Sequence, residues 1–172
     1  MKKKIKIGKR NFIYDPKNCV LNYVDSKGEI VSSIGLSKSN WKEDPKYWAE
    51  KYNDELNEEL IAKFMGAEPN LFTIDKNGSR NYSYELYFGN IDEEVIKPEC
   101  MRFHSSWSWL MPVIEKIESL RYEVNIKGTC CTMYRQHNKF SLFEFSEKSK
   151  MDATYRAVIE FIEWYNKEKE NE

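Results

Sequence analysis

The chain has 172 residues, of which 41% are apolar and 15% aromatic, so it is long enough to bury a core and corresponds to one domain or to one domain with an appendage. Its 27 basic and 28 acidic residues leave a net charge of −1, whereas proteins that bind nucleic-acid phosphates usually carry a basic excess, so generic nucleic-acid binding is disfavoured. No run of 18 apolar residues and no signal-peptide pattern occurs, which predicts a protein that stays in the cytosol without contacting a membrane.

The first 36 residues have the composition of short strands separated by turns. The sequence Asp25-Ser26-Lys27-Gly28 is typical of a hairpin turn, because glycine accepts the positive φ that a tight reversal requires. We therefore predict a β-meander with strands at Lys4–Ile7, Asn11–Tyr14, Cys19–Val24 and Glu29–Ile34.

Helical spacing follows the meander. Pro45 suits a first helical turn, and apolar side chains recur at intervals of three and four up to Met65. Gly66 then stands where a left-handed C-terminal cap is expected. The pattern leaves open whether this segment is one helix or two helices broken near Asn53.

Two further strands are predicted between this helical segment and the next one. Leu71–Ile74 and Asn81–Phe88 flank a hairpin signal at Asp75-Lys76-Asn77-Gly78. A further short strand is expected at Met101–His104, after Pro98.

The C-terminal part predicts a helix, three strands and a second helix. Ser106 suits the N-cap of the first helix, within which Pro112 predicts a kink or an irregular first turn. Ser149 and Asp152 form a capping-box-like pair before the last helix. The predicted strands are Tyr122–Lys127, Thr129–Arg135 and Phe140–Phe145. The predicted apolar stripe of the first helix consists of Trp107, Leu110, Met111, Ile114, Ile117 and Leu120. The predicted apolar side of the last helix consists of Thr154, Val158, Phe161, Ile162 and Tyr165.

Three segments in this part resemble a known family. They are LIAKFMG at Leu60–Gly66, FHSSWSWLMPVIEKIE at Phe103–Glu118 and AVIEFIEWYN at Ala157–Asn166. Together and in this order they resemble the phage ABA-sandwich domain family of Bacteroides phages and prophages. The resemblance covers roughly residues 57 to 172, and the preceding residues depart from the family pattern.

The resemblance implies a fold and a phage origin but no reaction, since it transfers no catalytic residue. With the element pattern, it predicts an α+β fold: an antiparallel sheet with packed helices, made of a C-terminal helix, three strands and helix (an α/β/α sandwich) and an N-terminal β-meander. We expect a β-rich extension at residues 1–55, including the start of the helical segment, and a family-like core at residues 56–172.

A ligand site is predicted around the start of the helix that follows Ser106. Free backbone amides and the helix dipole favour an anion there, and a tryptophan can stack on a base or ring. Trp107 and Trp164 have core-facing spacing, whereas Trp109 lies off the stripe and is expected to be exposed. The residues predicted to contact a nucleotide-like ligand are Arg102, His104, Ser105, Ser106, Trp109, Arg135 and His137.

Cysteine and histidine chemistry is a weaker alternative. Cys130 or Cys131 could act as a nucleophile with His104 or His137 as base, but no thiol-enzyme signature surrounds them. Adjacent strand residues face opposite sides, so one of the two cysteines is expected in the core. A metal site would draw on His104, His137, Cys100 and Cys130, which lack paired ligand spacing.

The preferred hypothesis is a non-enzymatic phage accessory protein without a cofactor, acting in the cytoplasm of the infected bacterial host. It would sequester a nucleotide-type immune signal as a counter-defence protein, and as such it is expected to form a homo-oligomer. The second hypothesis is an interaction module whose N-terminal sheet edge binds a host or phage protein by strand addition. A Cys/His-dependent enzyme is the third.

Overall fold

A computed structural model of the chain describes residues 2–36, 44–74, 80–84, 100–136 and 141–171. It confirms the predicted α+β class, with an N-terminal antiparallel sheet and a C-terminal helix, three-stranded sheet and helix. The elements are β1 (Lys3–Ile7), β2 (Arg10–Asp15), β3 (Val20–Val24), β4 (Ile30–Gly35), α1 (Pro45–Met65), β5 (Pro69–Ile74), β6 (Arg80–Tyr84), α2 (Trp107–Ser119), β7 (Tyr122–Lys127), β8 (Cys130–Arg135), β9 (Ser141–Ser146) and α3 (Lys150–Glu170).

The chain divides into two compact units, of which the first comprises Met1–Leu56 and Phe72–Asn81. Its sheet is the predicted antiparallel meander, in the order β1-β2-β3-β4. The turn between β3 and β4 is closed by the Asp25 carboxylate, which accepts backbone N–H groups of Lys27 and Glu29, both at 2.8 Å. The core of this unit consists of Phe12, Leu21, Leu36, Ala49 and Tyr52.

Helix α1 is one continuous helix without a break at Asn53. Within the first unit its N-terminal half is fixed by polar contacts, because the Tyr52 hydroxyl lies 2.8 Å from Ser32 Oγ and Arg10 donates to Asn53 Oδ1 at 2.9 Å. The helix ends at Gly66, whose φ of +97° is the left-handed cap that the sequence predicts.

The second unit comprises Asn57–Leu71 and Tyr82–Glu172. Its antiparallel sheet has the order β7-β8-β9. Helices α2 and α3 contact this sheet and each other, so both lie on the same face. The side chains packed on that face include Val124, Ile126, Cys131, Met133, Phe143 and Phe145.

Two predictions for the region around α2 are wrong. Met101–His104 is a turn rather than a strand, because the N–H groups of Ser105 and Ser106 both donate to the Arg102 carbonyl. The apolar stripe predicted for α2 is wrong only at Met111, since Leu110, Ile114 and Ile117 are buried and Trp107 and Leu120 pack against the same core. Met111 is exposed, whereas Trp109, Leu110, Val113, Ile114 and Ile117 are buried.

The last helix follows the sequence pattern closely. Ser149 is its N-cap, and the Ser149 hydroxyl accepts the backbone N–H of Asp152 at 3.1 Å. The predicted apolar side is confirmed for Thr154, Val158, Phe161 and Ile162, which are all buried. The predicted turn at 75–78, the end of the strand beyond Tyr84 and the loop containing His137 lie outside the described residues.

Candidate functional site

A buried carboxylate organises the turn that precedes α2. Glu58 lies in the C-terminal half of α1 and its side chain is only 3% exposed. It accepts hydrogen bonds from the backbone N–H groups of Phe103 (3.0 Å) and His104 (3.1 Å). It also accepts the Tyr155 hydroxyl of α3 at 3.1 Å. One side chain therefore joins α1, the turn and α3.

The fourth group that contacts Glu58 is the imidazole of His104. Its Nδ1 lies 2.9 Å from Glu58 Oε1, and the side chain is 53% exposed. The carboxylate accepts a hydrogen bond from Nδ1–H, which fixes the ring orientation and leaves Nε2 as the atom available to a ligand. No hydrogen bond to Nε2 is formed within the part of the chain that the structure describes. The Tyr155 ring contacts the imidazole edge-on, with 6.2 Å between the ring centroids and an interplanar angle of 72°.

The first turn of α2 lacks a side-chain cap. Ser106 is the N-cap residue, but its hydroxyl pairs with the Ser108 hydroxyl at 2.8 Å instead of accepting a backbone N–H. Among the described residues, no acceptor is found for the N–H groups of Trp107 and Ser108. Uncapped amides at the start of a helix attract anions.

Arg102, Ser105 and Ser106 belong to the same turn. Arg102 and Ser105 are exposed, and the Arg102 carbonyl holds the turn by accepting the N–H groups of Ser105 (3.1 Å) and Ser106 (2.9 Å). The structure therefore brings together the backbones of four predicted site residues, including His104, directly before the uncapped helix.

Trp109 does not belong to the exposed surface of this site. It is only 9% exposed and its ring meets that of Phe103 edge-on, at 5.1 Å and 82°. The prediction that Trp109 is exposed is wrong, because it lies one helical turn before Val113 on the buried face of α2. In this buried position Trp109 does not stack on the ring of a bound ligand.

Arg135 lies at the other end of α2. It pairs in register with Tyr122, which follows the end of that helix. Helix α2 has 13 residues, so roughly 20 Å separates its two ends. Arg135 is therefore placed apart from His104, and His137 lies outside the described residues.

The cysteines of β8 face opposite sides of the sheet, as predicted. Cys131 is fully buried, and this burial raises the pKa of its thiol to about 11, against a smaller lowering effect from a hydrogen bond with Thr154. Cys130 lies on the other face, with its Sγ 3.9 Å from Glu144 Oε1. A buried thiol with a raised pKa is a poor nucleophile at neutral pH.

The described residues contain no group of three or more His, Cys, Asp or Glu side chains arranged to hold a metal ion. None of their helices is long and apolar enough to cross a membrane.

Glu58 and Tyr155 are the site residues that the sequence reasoning missed. A signal for Glu58 exists, because it precedes the buried Ile61 by three positions and Ala62 by four, which places it on the buried face of α1. A carboxylate at a core position needs donors from elsewhere in the fold. Tyr155 carries no comparable signal.

Comparison with protein-family models, with curated proteins and with solved structures gives no match to this chain. The resemblance to the phage ABA-sandwich family therefore remains a prediction from three sequence segments. In the structure they form the end of α1 with its Gly66 cap, the turn with most of α2, and the middle of α3.

Proposed function

We propose that this chain is a non-enzymatic binding protein that takes a small phosphate-bearing ligand at the turn Arg102–Ser106. The observation that carries the proposal is the Glu58–His104 pair, in which a buried carboxylate holds an exposed imidazole beside an uncapped helix N-terminus. Orientation of a ring by a buried partner is typical of side chains that contact ligands or substrates.

The chemistry of the turn favours an anion. The amides of Trp107 and Ser108 supply N–H donors at the positive end of the helix dipole. Arg102 adds a guanidinium, the side-chain type that pairs with phosphate oxygens through two parallel hydrogen bonds. In its imidazolium form His104 would add an Nε2–H donor and a second positive charge, while its Nδ1–H donates to Glu58.

We propose a phage context and the cytoplasm of the infected host as the place of action, supported by the three family-like segments. A protein of this kind would sequester a nucleotide-type immune signal. The turn provides donors for the phosphate of such a ligand, whereas Trp109, the ring assigned to the base, is buried.

Isothermal titration calorimetry with a panel of cyclic nucleotides tests the proposal. We expect heat of binding for at least one of them, and a loss of affinity of about tenfold or more for His104→Gln and for Arg102→Gln, as for charged hydrogen bonds to phosphate. Lys167→Gln is the control, because it removes one positive charge near the far end of α3. Absence of binding to every nucleotide, or equal affinity in all variants, would refute the proposed site.

A protein-interaction module remains the second candidate, and one observation favours it. In the four-stranded sheet of the first unit, β1 and β4 are the edge strands. Strand β1 carries Lys3, Lys4 and Lys6, a charge pattern that discourages pairing with another chain. Strand β4 carries no charge and exposes Ile30 (63%) and Val31 (59%).

The two edges supply a matched pair of variants. If β4 binds a host or phage protein by strand addition, Val31→Lys should abolish retention of that protein from a bacterial lysate, and Lys4→Thr should leave it unchanged. Equal retention by the wild-type chain and Val31→Lys would remove this candidate.

A further inference from the structure

A groove of about 350 Å³ lies where α2 ends and β7 begins. The backbone N–H of Gln136 donates to the Arg121 carbonyl at 2.9 Å, which brings the end of β8 against the end of α2. The residues that line the groove are Leu120, Arg121, Tyr122, Arg135 and Gln136.

The charged side chains in this lining are both arginines. Arg121 and Arg135 are exposed, and neither forms an ion pair with a carboxylate in the described part of the chain. Arg156 shows the contrast, since it pairs with Glu147. The amide of Gln136 adds a further donor, so the groove offers several N–H groups to an acceptor.

The backbone of Arg121 is also unusual. Its φ of +68° lies in the left-handed region, at the place where a helix commonly ends in glycine. Helix α1 ends in this way, with Gly66 at +97°. A side chain kept in a conformation that glycine adopts more easily points to a function for that side chain.

We propose that this groove binds a phosphate group, from inorganic phosphate or from a phosphate monoester, held by the guanidinium groups of Arg121 and Arg135. Guanidinium groups form paired, charge-assisted hydrogen bonds with phosphate oxygens. Leu120 provides apolar surface beside the two cations, whereas the Tyr122 ring is buried against Phe161 and Trp164. This site goes beyond the proposed function, because it lies at the opposite end of α2 from His104 and uses different residues.

The test follows the Nε–Hε NMR signals of Arg121 and Arg135 in the full chain during titration with inorganic phosphate and, separately, with phenyl phosphate. We expect both signals to shift, and Arg135→Gln to weaken binding about tenfold or more as reported by Arg121. Stronger binding of phenyl phosphate would identify a monoester as the ligand class, and equal binding would identify the phosphate group alone. Unshifted signals at millimolar ligand would overturn the proposal.

Two further variants separate this site from the rest of the molecule. Lys127→Gln removes a positive charge from the other end of β7 and should leave the affinity unchanged, as should His104→Gln. Arg121→Gly should raise the melting temperature of the free protein, by relieving the left-handed strain, while it weakens phosphate binding reported by Arg135. A variant Arg121→Gly that binds as tightly as wild type would contradict the assignment.

Discussion

The carboxylate of Glu58 is buried at a position of α1 whose neighbours one turn away, Ile61 and Ala62, are apolar and buried. Removing an ionised carboxylate from water is costly unless donors replace the lost water. Here four donors do so, two from the backbone of the turn and one each from His104 and Tyr155. The position of the turn therefore depends on this one side chain.

Replacing Glu58 should affect both stability and binding. Glu58→Ala leaves the N–H groups of Phe103 and His104 without their acceptor, and we expect the free energy of unfolding to fall by about 3 kcal/mol. Urea denaturation measures this. Glu59→Gln is the matched control: its carboxylate contacts Lys63 on the helix surface, so a change below about 0.5 kcal/mol is expected. Equal effects of the two variants would contradict the role given to Glu58.

Cys131 gives a prediction in alkaline solution. Its pKa rises from 9.0 to about 11 because the thiol is buried. Between these values the unfolded chain loses the thiol proton and the folded chain keeps it, so folding stability falls as pH rises from 9 to 11. The loss attributable to this group is on the order of 2 kcal/mol.

Comparison of urea unfolding at pH 8 and pH 10.5 in wild type and Cys131→Ala isolates this contribution. The wild type should lose more stability between the two pH values than the variant. An identical loss in both proteins would show that the folded thiol ionises as freely as the unfolded one.

The sequence predicted the position of His104 in the site, but it did not predict the buried carboxylate of Glu58 that orients this side chain. His104 was identified because it precedes an N-cap and a helix. Trp109 was misassigned, because a period of 3.6 residues allows two neighbouring stripes on α2 and only packing chooses between them. The spacing of α1 indicates that Glu58 is buried, but it does not identify the hydrogen-bond partners, which lie 45, 46 and 97 residues along the chain.

Helices α2 and α3 both have a serine at the N-cap position, and the two serines differ in what their hydroxyl groups contact. The Ser149 hydroxyl accepts the Asp152 N–H, whereas the Ser106 hydroxyl accepts no backbone N–H. We expect Ser149→Ala to lower the free energy of unfolding by about 1 kcal/mol and Ser106→Ala to leave it nearly unchanged. Thermal or urea unfolding of the two variants checks this. A comparable loss in both would mean that Ser106 caps its helix, and that the first turn of α2 is not open to an anion.

The strands and helices themselves were largely predictable from local pattern. Alternation and turn residues predicted the ends of β1 to β4 and of β7 to β9 to within about two residues. Antiparallel strands joined by short turns are set mainly by the local sequence, so few long-range contacts are needed to place them. Helix spacing located α1 and α3 equally well. The strand predicted at Met101–His104 is wrong for the opposite reason: the amides of Phe103 and His104 donate to the distant Glu58 instead of to a neighbouring strand.

Over the whole molecule, each compact unit has its own buried core. Phe12 and Leu21 belong to the core of the first unit, and Leu110 and Phe161 to that of the second. The proposed ligand turn and the arginine groove both belong to the second unit. The protein-binding candidate uses the uncharged edge strand β4 of the first unit. Ligand binding and protein binding are therefore separable by mutation, since the residues that serve them do not overlap.

The most direct test of the proposed ligand site is a titration of the isotope-labelled full chain with adenosine 5′-monophosphate, followed by NMR through the backbone amides of Trp107 and Ser108 and the imidazole of His104. Adenosine, which lacks the phosphate, is the control ligand. We predict that the nucleotide shifts all three sets of signals in a saturable manner and that adenosine does not. Unchanged signals with the nucleotide, or equal shifts with both ligands, would contradict a phosphate-binding turn at the start of α2.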